Sequence, residues 1–291
     1  MAEKPHVATG SLYDQGQRVR AGGLDTWVVR AGPRGGAPAV FLHGIPTSAY
    51  AYRDVIRAMH EERDCVAFDW PGFGSSDKPR KAAYTHRSRA DHLLAVLDAL
   101  GLARADLVAH DVAGPAALLL LVERPERVRR LVLLNTTVYR RDYRPPLPAL
   151  AQFVPVLRQV SRPFLTRQTF DFFFRQGLAR PQRVPRAVLE THWRLARAHG
   201  GRDTLLEAWA QLPDGAAEIE AIRAKLGEVK APTLVLFGAD DTFLPPPNAE
   251  RLAKAIPGAR LQLLANAGHF VMEDAPEVVA ERISAFLDEG S

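Results

Sequence analysis

Leu107-Val108-Ala109-His110-Asp111-Val112-Ala113-Gly114 is the stretch on which the reading of this chain turns. Apolar residues lead into a single carboxylate, and small residues separate that carboxylate from the apolar run that begins near Pro115. Small neighbours let a strand bend sharply into a helix and present one side chain at the bend. Asp111 is therefore a candidate nucleophile on such an elbow. An aspartate at a helix start is also a good N-cap, and the eight residues alone leave both roles open. No G-x-S-x-G occurs in the chain, which excludes a serine nucleophile in the usual elbow setting.

Working outward, short apolar runs bounded by Gly and Pro predict strands at Thr26 to Arg30, Ala39 to Leu42, Cys65 to Phe68, Leu107 to Ala109 and Val128 to Leu134. Helical spacing falls between them, at Ser48 to His60, His86 to Leu100 and Pro115 to Glu123. Strands alternating with helices through short links predict an α/β fold with a mostly parallel central sheet flanked by helices. The rhythm breaks at Tyr139, where prolines and helical patches such as Val184 to Ala198 and Thr204 to Gln211 replace it. It resumes with Thr233 to Phe237, Leu261 to Leu264 and Pro276 to Leu287. The expected organisation is a core of residues 1–138 and 228–291 interrupted by a helical cap domain, 139–227, over the C-terminal edge of the sheet, where ligands of such sheets bind.

Three more segments follow strands. Phe41-Leu42-His43-Gly44-Ile45-Pro46 is placed to form an anion-binding loop, in which the backbone N–H of Ile45 joins that of Val112. Gly238-Ala239-Asp240-Asp241-Thr242-Phe243-Leu244-Pro245 and Asn266-Ala267-Gly268-His269-Phe270 come later, giving the order nucleophile, acid, histidine.

Together these segments resemble the α/β-hydrolase fold superfamily, in particular its aspartate-nucleophile branch of epoxide hydrolases and haloalkane dehalogenases. The resemblance implies that Asp111 is the nucleophile, His269 the base and Asp241 the acid, with Asp240 set aside because the G-x-x-D-x-x-x-P pattern lands on Asp241 and Pro245. Asn135, where some relatives carry the acid, cannot serve as one. The implied reaction is hydrolytic, through a covalent alkyl ester on Asp111. Epoxide opening to a diol is the first expectation, with a haloalkane or haloacid dehalogenase as the alternative. A non-hydrolytic biosynthetic catalyst and a non-catalytic binding scaffold are the further alternatives. Epoxide opening needs proton donors from the cap, and Tyr139, Tyr143, His192 and Trp193 are the candidate donors or substrate contacts. Dehalogenases of the branch hold the halide with side chains at the positions of Ile45 and Val112, neither of which can donate here; Trp193 or Trp209 would have to replace them.

Composition bounds the rest. The chain has 291 residues, 38 basic and 33 acidic side chains, and a single cysteine, so a disulfide scaffold is excluded. The longest apolar run, Ala116 to Val122, is far below the roughly 20 residues that span a bilayer. No export signal is visible, and a cytoplasmic protein is expected. The basic excess lies between Thr137 and Lys230, with 16 basic and 9 acidic residues, but it is scattered and lacks nucleic-acid-binding motifs. The expected partner is a small apolar or amphipathic organic substrate, with no nucleic acid, no membrane, no cofactor and no metal, in a monomer or homodimer. Gly72-Phe73-Gly74 reads as a turn, His43 as a brace for its loop, and His110 as packing.

Overall fold

The computed structural model describes residues 11–79, 82–139, 143–146, 149, 151, 154, 157 and 162–289. The chain opens with a hairpin, β1 (Gln17–Ala21) and β2 (Leu24–Ala31), turned by Gly22 and Gly23 at φ of +56° and +80°. Two consecutive positive φ values match the right-handed twist of paired strands, which glycine adopts without strain. Then follow β3 (Ala39–Leu42), α1 (Arg53–Met59), β4 (Cys65–Phe68), α2 (His86–Ala99), β5 (Ala105–His110), α3 (Ala113–Glu123) and β6 (Val128–Leu134). Between β6 and β7 (Thr233–Gly238) the described residues contain no strand, but helices α4 (Arg167–Gln176), α5 (Arg186–Arg197), α6 (Gly201–Ala210) and α7 (Ala216–Lys225). The chain closes with α8 (Pro247–Ala255), β8 (Arg260–Leu264), α9 (Val271–Asp274) and α10 (Pro276–Asp288).

The eight strands form one sheet in the order β1-β2-β4-β3-β5-β6-β7-β8, parallel from β4 onward. Helices cover both faces, so β3, β4, β5 and β7 are buried along their whole length, and β3 and β4 read as unbroken apolar runs. The edges read differently. Arg18 and Arg20 on β1, and Arg260 and Gln262 on β8, blunt strands that would otherwise offer open ladders.

The chain leaves β3 for β4 on one side and returns across it to β5 on the other. That reversal opens a crevice at the C-terminal ends of β3 and β5, where α/β sheets bind ligands. The loops after β3, β5, β6, β7 and β8 all meet this edge. They carry Ile45, Asp111, Asn135, Asp241 and His269.

Two expectations change in detail. The helix expected at Ser48 to His60 is a 3₁₀ turn, Ala49–Tyr52, followed by α1, because the Ser48 hydroxyl accepts from the Tyr50 amide and sets a tight first turn. The chain also has β1 and α8, whose mixed polar sequences carry little apolar signal.

Candidate active site

The elbow is built from backbone strain and close approach. Asp111 has φ +53°, a region that aspartate tolerates better than most side chains with a Cβ. The turn is held from β6: the Thr136 hydroxyl donates to the Asp111 carbonyl at 2.5 Å. Gly114, in the first turn of α3, lies so close to Thr136 that a Cβ there would overlap the hydroxyl. Gly114→Ala should therefore push α3 off β6 and destabilise the fold by about 1–3 kcal/mol, the usual cost of overpacking. A thermal melt matching the parent protein's would show that the contact gives way freely.

A carboxylate at this elbow meets the loop after β3. The Ile45 amide donates to Asp111 Oδ2 at 2.9 Å, and the Val112 amide also bonds the carboxylate. Burial raises the Asp111 pKa above the ordinary aspartate value; His269, the two amides and the Arg89 charge act in the opposite direction. His43 braces the loop. Its Nδ1 donates to the Gly44 carbonyl at 2.9 Å and its Nε2 accepts from the Trp70 amide at 3.1 Å. Burial lowers its pKa to about 3, so it stays neutral.

On the opposite wall, His269 Nδ1 lies 2.9 Å from Asp241 Oδ2. The carboxylate can only accept, so Nδ1 carries the proton and Nε2 is left as the acceptor. Burial alone would lower the imidazole pKa, but the charges of Asp241 and Asp111 outweigh it and raise it. Asp241 Oδ1 accepts from the Phe243 and Leu244 amides at 2.8 and 2.9 Å, which fixes the carboxylate. Asn135 completes the support. Its amide donates to Asp241 Oδ2 at 2.7 Å and to the Gly268 carbonyl at 3.2 Å, joining the Asp241 loop to the His269 loop. His110 does more than pack: its Nε2 donates to the His269 carbonyl at 2.9 Å.

Asp111 and His269 face one small cavity of about 20 Å³, walled by Ile45, Val112 and Phe243 from the sheet side and by Tyr143, Phe173 and Trp209 from the inserted segment. Tyr143 enters because the next amide, Arg144 N–H, donates to the Phe243 carbonyl at 2.9 Å. Burial and the nearby Asp111 and Asp241 carboxylates raise the Tyr143 pKa, so the phenol keeps its proton. The other three residues singled out in the inserted segment sit elsewhere. The Tyr139 ring is covered by Arg223 and Arg251. His192 is buried with Nε2 2.8 Å from Glu273 Oε1, and Trp193 packs on Phe170 with ring centres 5.4 Å apart. No group of three or more His, Cys, Asp or Glu side chains that could hold a metal occurs among the described residues. Nor is any described helix long and apolar enough to cross a membrane.

Residues 38–276 match the alpha/beta hydrolase fold family, and the chain belongs to it. It is 31% identical over 255 residues to haloalkane dehalogenase 2 of Mycobacterium bovis, covering 85% of this chain and 87% of that relative. It is 27% identical over 265 residues to 2-hydroxymuconate semialdehyde hydrolase of Pseudomonas putida, covering 87% and 88%. Among solved structures it is similar to Cfl2 of Burkholderia cenocepacia, with a TM-score of 0.84 and 27% identity over 93% of this chain and 95% of that one. The protein is a hydrolase of this fold.

Proposed function

We propose that Asp111 attacks a saturated carbon of a small apolar substrate and that the ester so formed is hydrolysed by a water deprotonated by His269, the favoured substrate being an epoxide. The observation that carries this reading is the carboxylate itself, lying on the two amides that an acyl-transfer enzyme aims at an oxyanion. Asp111 Oδ2 is already bound there, which leaves Oδ1 to attack. As the new C–O bond forms, the ring C–O bond breaks, and the alkoxide takes a proton from a phenol in the same cavity, Tyr143. Water then adds to the ester carbonyl carbon and gives its proton to His269 Nε2. The oxyanion develops on the oxygen held by the Ile45 and Val112 amides, where one such donor contributes roughly 3 kcal/mol. Collapse releases the diol, and the proton on His269 restores Tyr143 by way of solvent.

Halide displacement is the second reading, and Trp209 favours it. Its indole walls the same cavity, wedged edge-on against Phe173 at 5.7 Å, and an indole N–H is a donor suited to a departing halide. The similarity to haloalkane dehalogenase 2 points the same way. Ranking oxygen above halide rests on Tyr143, since the side chains of Ile45 and Val112 offer a halide nothing.

A panel of epoxides and haloalkanes, assayed side by side for diol and for halide, separates the two. Tyr143→Phe is expected to lower kcat on an epoxide roughly 100-fold, the scale of general-acid catalysis, and to leave any halide release within a few-fold. Halide release from the parent protein with no epoxide loss would reverse the ranking. Single turnover in ¹⁸O-labelled water tests the ester step for either leaving group, because the label enters the Asp111 carboxylate only if an ester forms and is hydrolysed at its carbonyl.

A further inference from the structure

Asp274 stands five residues after His269, at the end of α9, and takes no part in either chemical step described above. Its carboxylate accepts three backbone amides from two separate stretches of chain. Oδ2 accepts from the Gly268 amide, immediately before the imidazole, at 2.8 Å and from the Ala179 amide at 2.9 Å. Oδ1 accepts from the Arg180 amide at 3.1 Å. Ala179 and Arg180 belong to the bend that follows α4 in the inserted segment. One carboxylate oxygen therefore bonds the His269 loop and the inserted segment at once. Burial raises the Asp274 pKa above the ordinary aspartate value, and the three amides act against that.

The two stretches also touch directly. The Phe270 amide donates to the Gly177 carbonyl at 3.2 Å, and the Phe270 and Phe174 rings stack with centres 4.3 Å apart and planes 7° apart. A Cβ on Gly268 would lie 2.5 Å from the Gly177 carbonyl oxygen and 2.9 Å from the Ala179 nitrogen, so the fit depends on glycine there. His269 is thus held through its side chain by Asp241 and through its backbone by His110 and this seam.

We propose that Asp274 is a positioning residue for ester hydrolysis: by tying Gly268 to the bend at Ala179 and Arg180, it keeps His269 Nδ1 on Asp241 and Nε2 toward the ester carbonyl. That role rests on the two-step reading above and belongs to its second step alone. Ester formation uses Asp111 and the Ile45 and Val112 amides, none of which bonds Asp274. Hydrolysis is the sensitive step, since a misplacement of about 1 Å can cost roughly 100-fold in rate.

Slowing hydrolysis alone lowers kcat and KM together, because kcat/KM reports the steps up to ester formation. Styrene oxide and 1-bromobutane are the probes. On whichever the parent protein turns over, Asp274→Ala is expected to lose roughly tenfold or more in kcat while kcat/KM stays within about twofold and ester accumulates. Asp274→Asn, with one oxygen still able to accept, should lie between Asp274→Ala and the parent. Gly268→Ala keeps the carboxylate but forces the bend away, and it should reproduce the Asp274→Ala pattern, which keeps the test decisive if Asp274→Ala does not fold. Proton NMR needs no substrate: the far-downfield signal of the proton between His269 Nδ1 and Asp241, identified by its loss in His269→Gln, should weaken in Asp274→Ala and Gly268→Ala. An unchanged signal in both variants, or kcat and kcat/KM falling equally with KM unmoved, as a smaller folded fraction would give, overturns the proposal. Failure of the two-step reading shows separately, as a His269→Gln protein that turns over or binds the probe and never gains its mass.

Discussion

His269→Gln protein incubated with a turned-over substrate is expected to gain the mass of one substrate on Asp111 and then stop. The two chemical steps make different demands. Attack by Asp111 needs an ionised carboxylate, which the Ile45 and Val112 amides support whether or not an imidazole is present. Hydrolysis needs a base on the water, and His269 Nε2 is the acceptor that the Asp241 hydrogen bond leaves open. Removing it should cut kcat by roughly 10⁴-fold or more, in line with other base deletions in such constellations. Peptide mass spectrometry after digestion locates the adduct. An unmodified Asp111, in a variant shown to bind substrate, refutes the ester. Acid should do reversibly what the substitution does permanently. The His269 pKa is raised chiefly by Asp241 and in part by Asp111. Below that pKa the imidazole holds a proton and cannot take one from water, so ester hydrolysis slows as pH falls. Esterification removes the Asp111 charge, so the hydrolytic step should fail at a lower pH than the free enzyme's imidazole titration alone would give.

The elbow, the Ile45 loop, Asp241 and His269 were legible in the sequence because each follows a buried strand by a few residues, and the order of parallel strands carries them to one edge. The small residues around Asp111 are required by contacts that sequence alone suggests: Gly44 abuts Asp111, and Gly114 abuts Thr136. What was not legible depends on packing between distant elements. His192 has the sequence context of a proton donor, a histidine on an amphipathic helix of the inserted segment, yet α5 turns it toward Glu273, 81 residues further on. Trp209 and Trp193 share that context too, and only the fold decides that Trp209 faces the cavity. Asn135 drew notice as a residue that could not be the acid. Its place at the end of β6, beside the two loops it joins, is the signal that could have marked it as a support for Asp241.

Glu273→Gln is expected to destabilise the protein by about 3–5 kcal/mol, the cost of breaking a buried ion pair from one side. Arg53, itself 6% exposed, meets Glu273 through two 2.7 Å hydrogen bonds spanning 220 residues of sequence, and His192 adds a third bond from α5. The amide keeps the shape but leaves the buried guanidinium with one carboxylate, Asp54 at 3.0 Å, beside the neutral Tyr50 carbonyl at 3.2 Å. Because Glu273 lies on α9, directly after the His269 loop, and bonds a helix of the inserted segment, the same change loosens the ground on which His269 stands. The melting temperature should fall by roughly 10 °C, taking a few degrees per kcal/mol for a chain of this size. The pH dependence identifies the cause. Burial alone would raise the Glu273 pKa, but the Arg53 charge and hydrogen bonds, with His192 behind them, lower it from 4.5 to about 2. A carboxylate whose pKa is lower folded than unfolded stabilises the fold fully above its unfolded value, and that contribution fades as pH falls toward its folded one. A shift of this size is equivalent to roughly 3 kcal/mol. The gap between parent and Glu273→Gln should therefore be widest near neutrality and mostly closed by pH 3, with the parent losing stability faster. Two melting curves that stay equally far apart from pH 7 to pH 3 would mean that packing, and not the carboxylate's charge, ties α9 to Arg53 and His192.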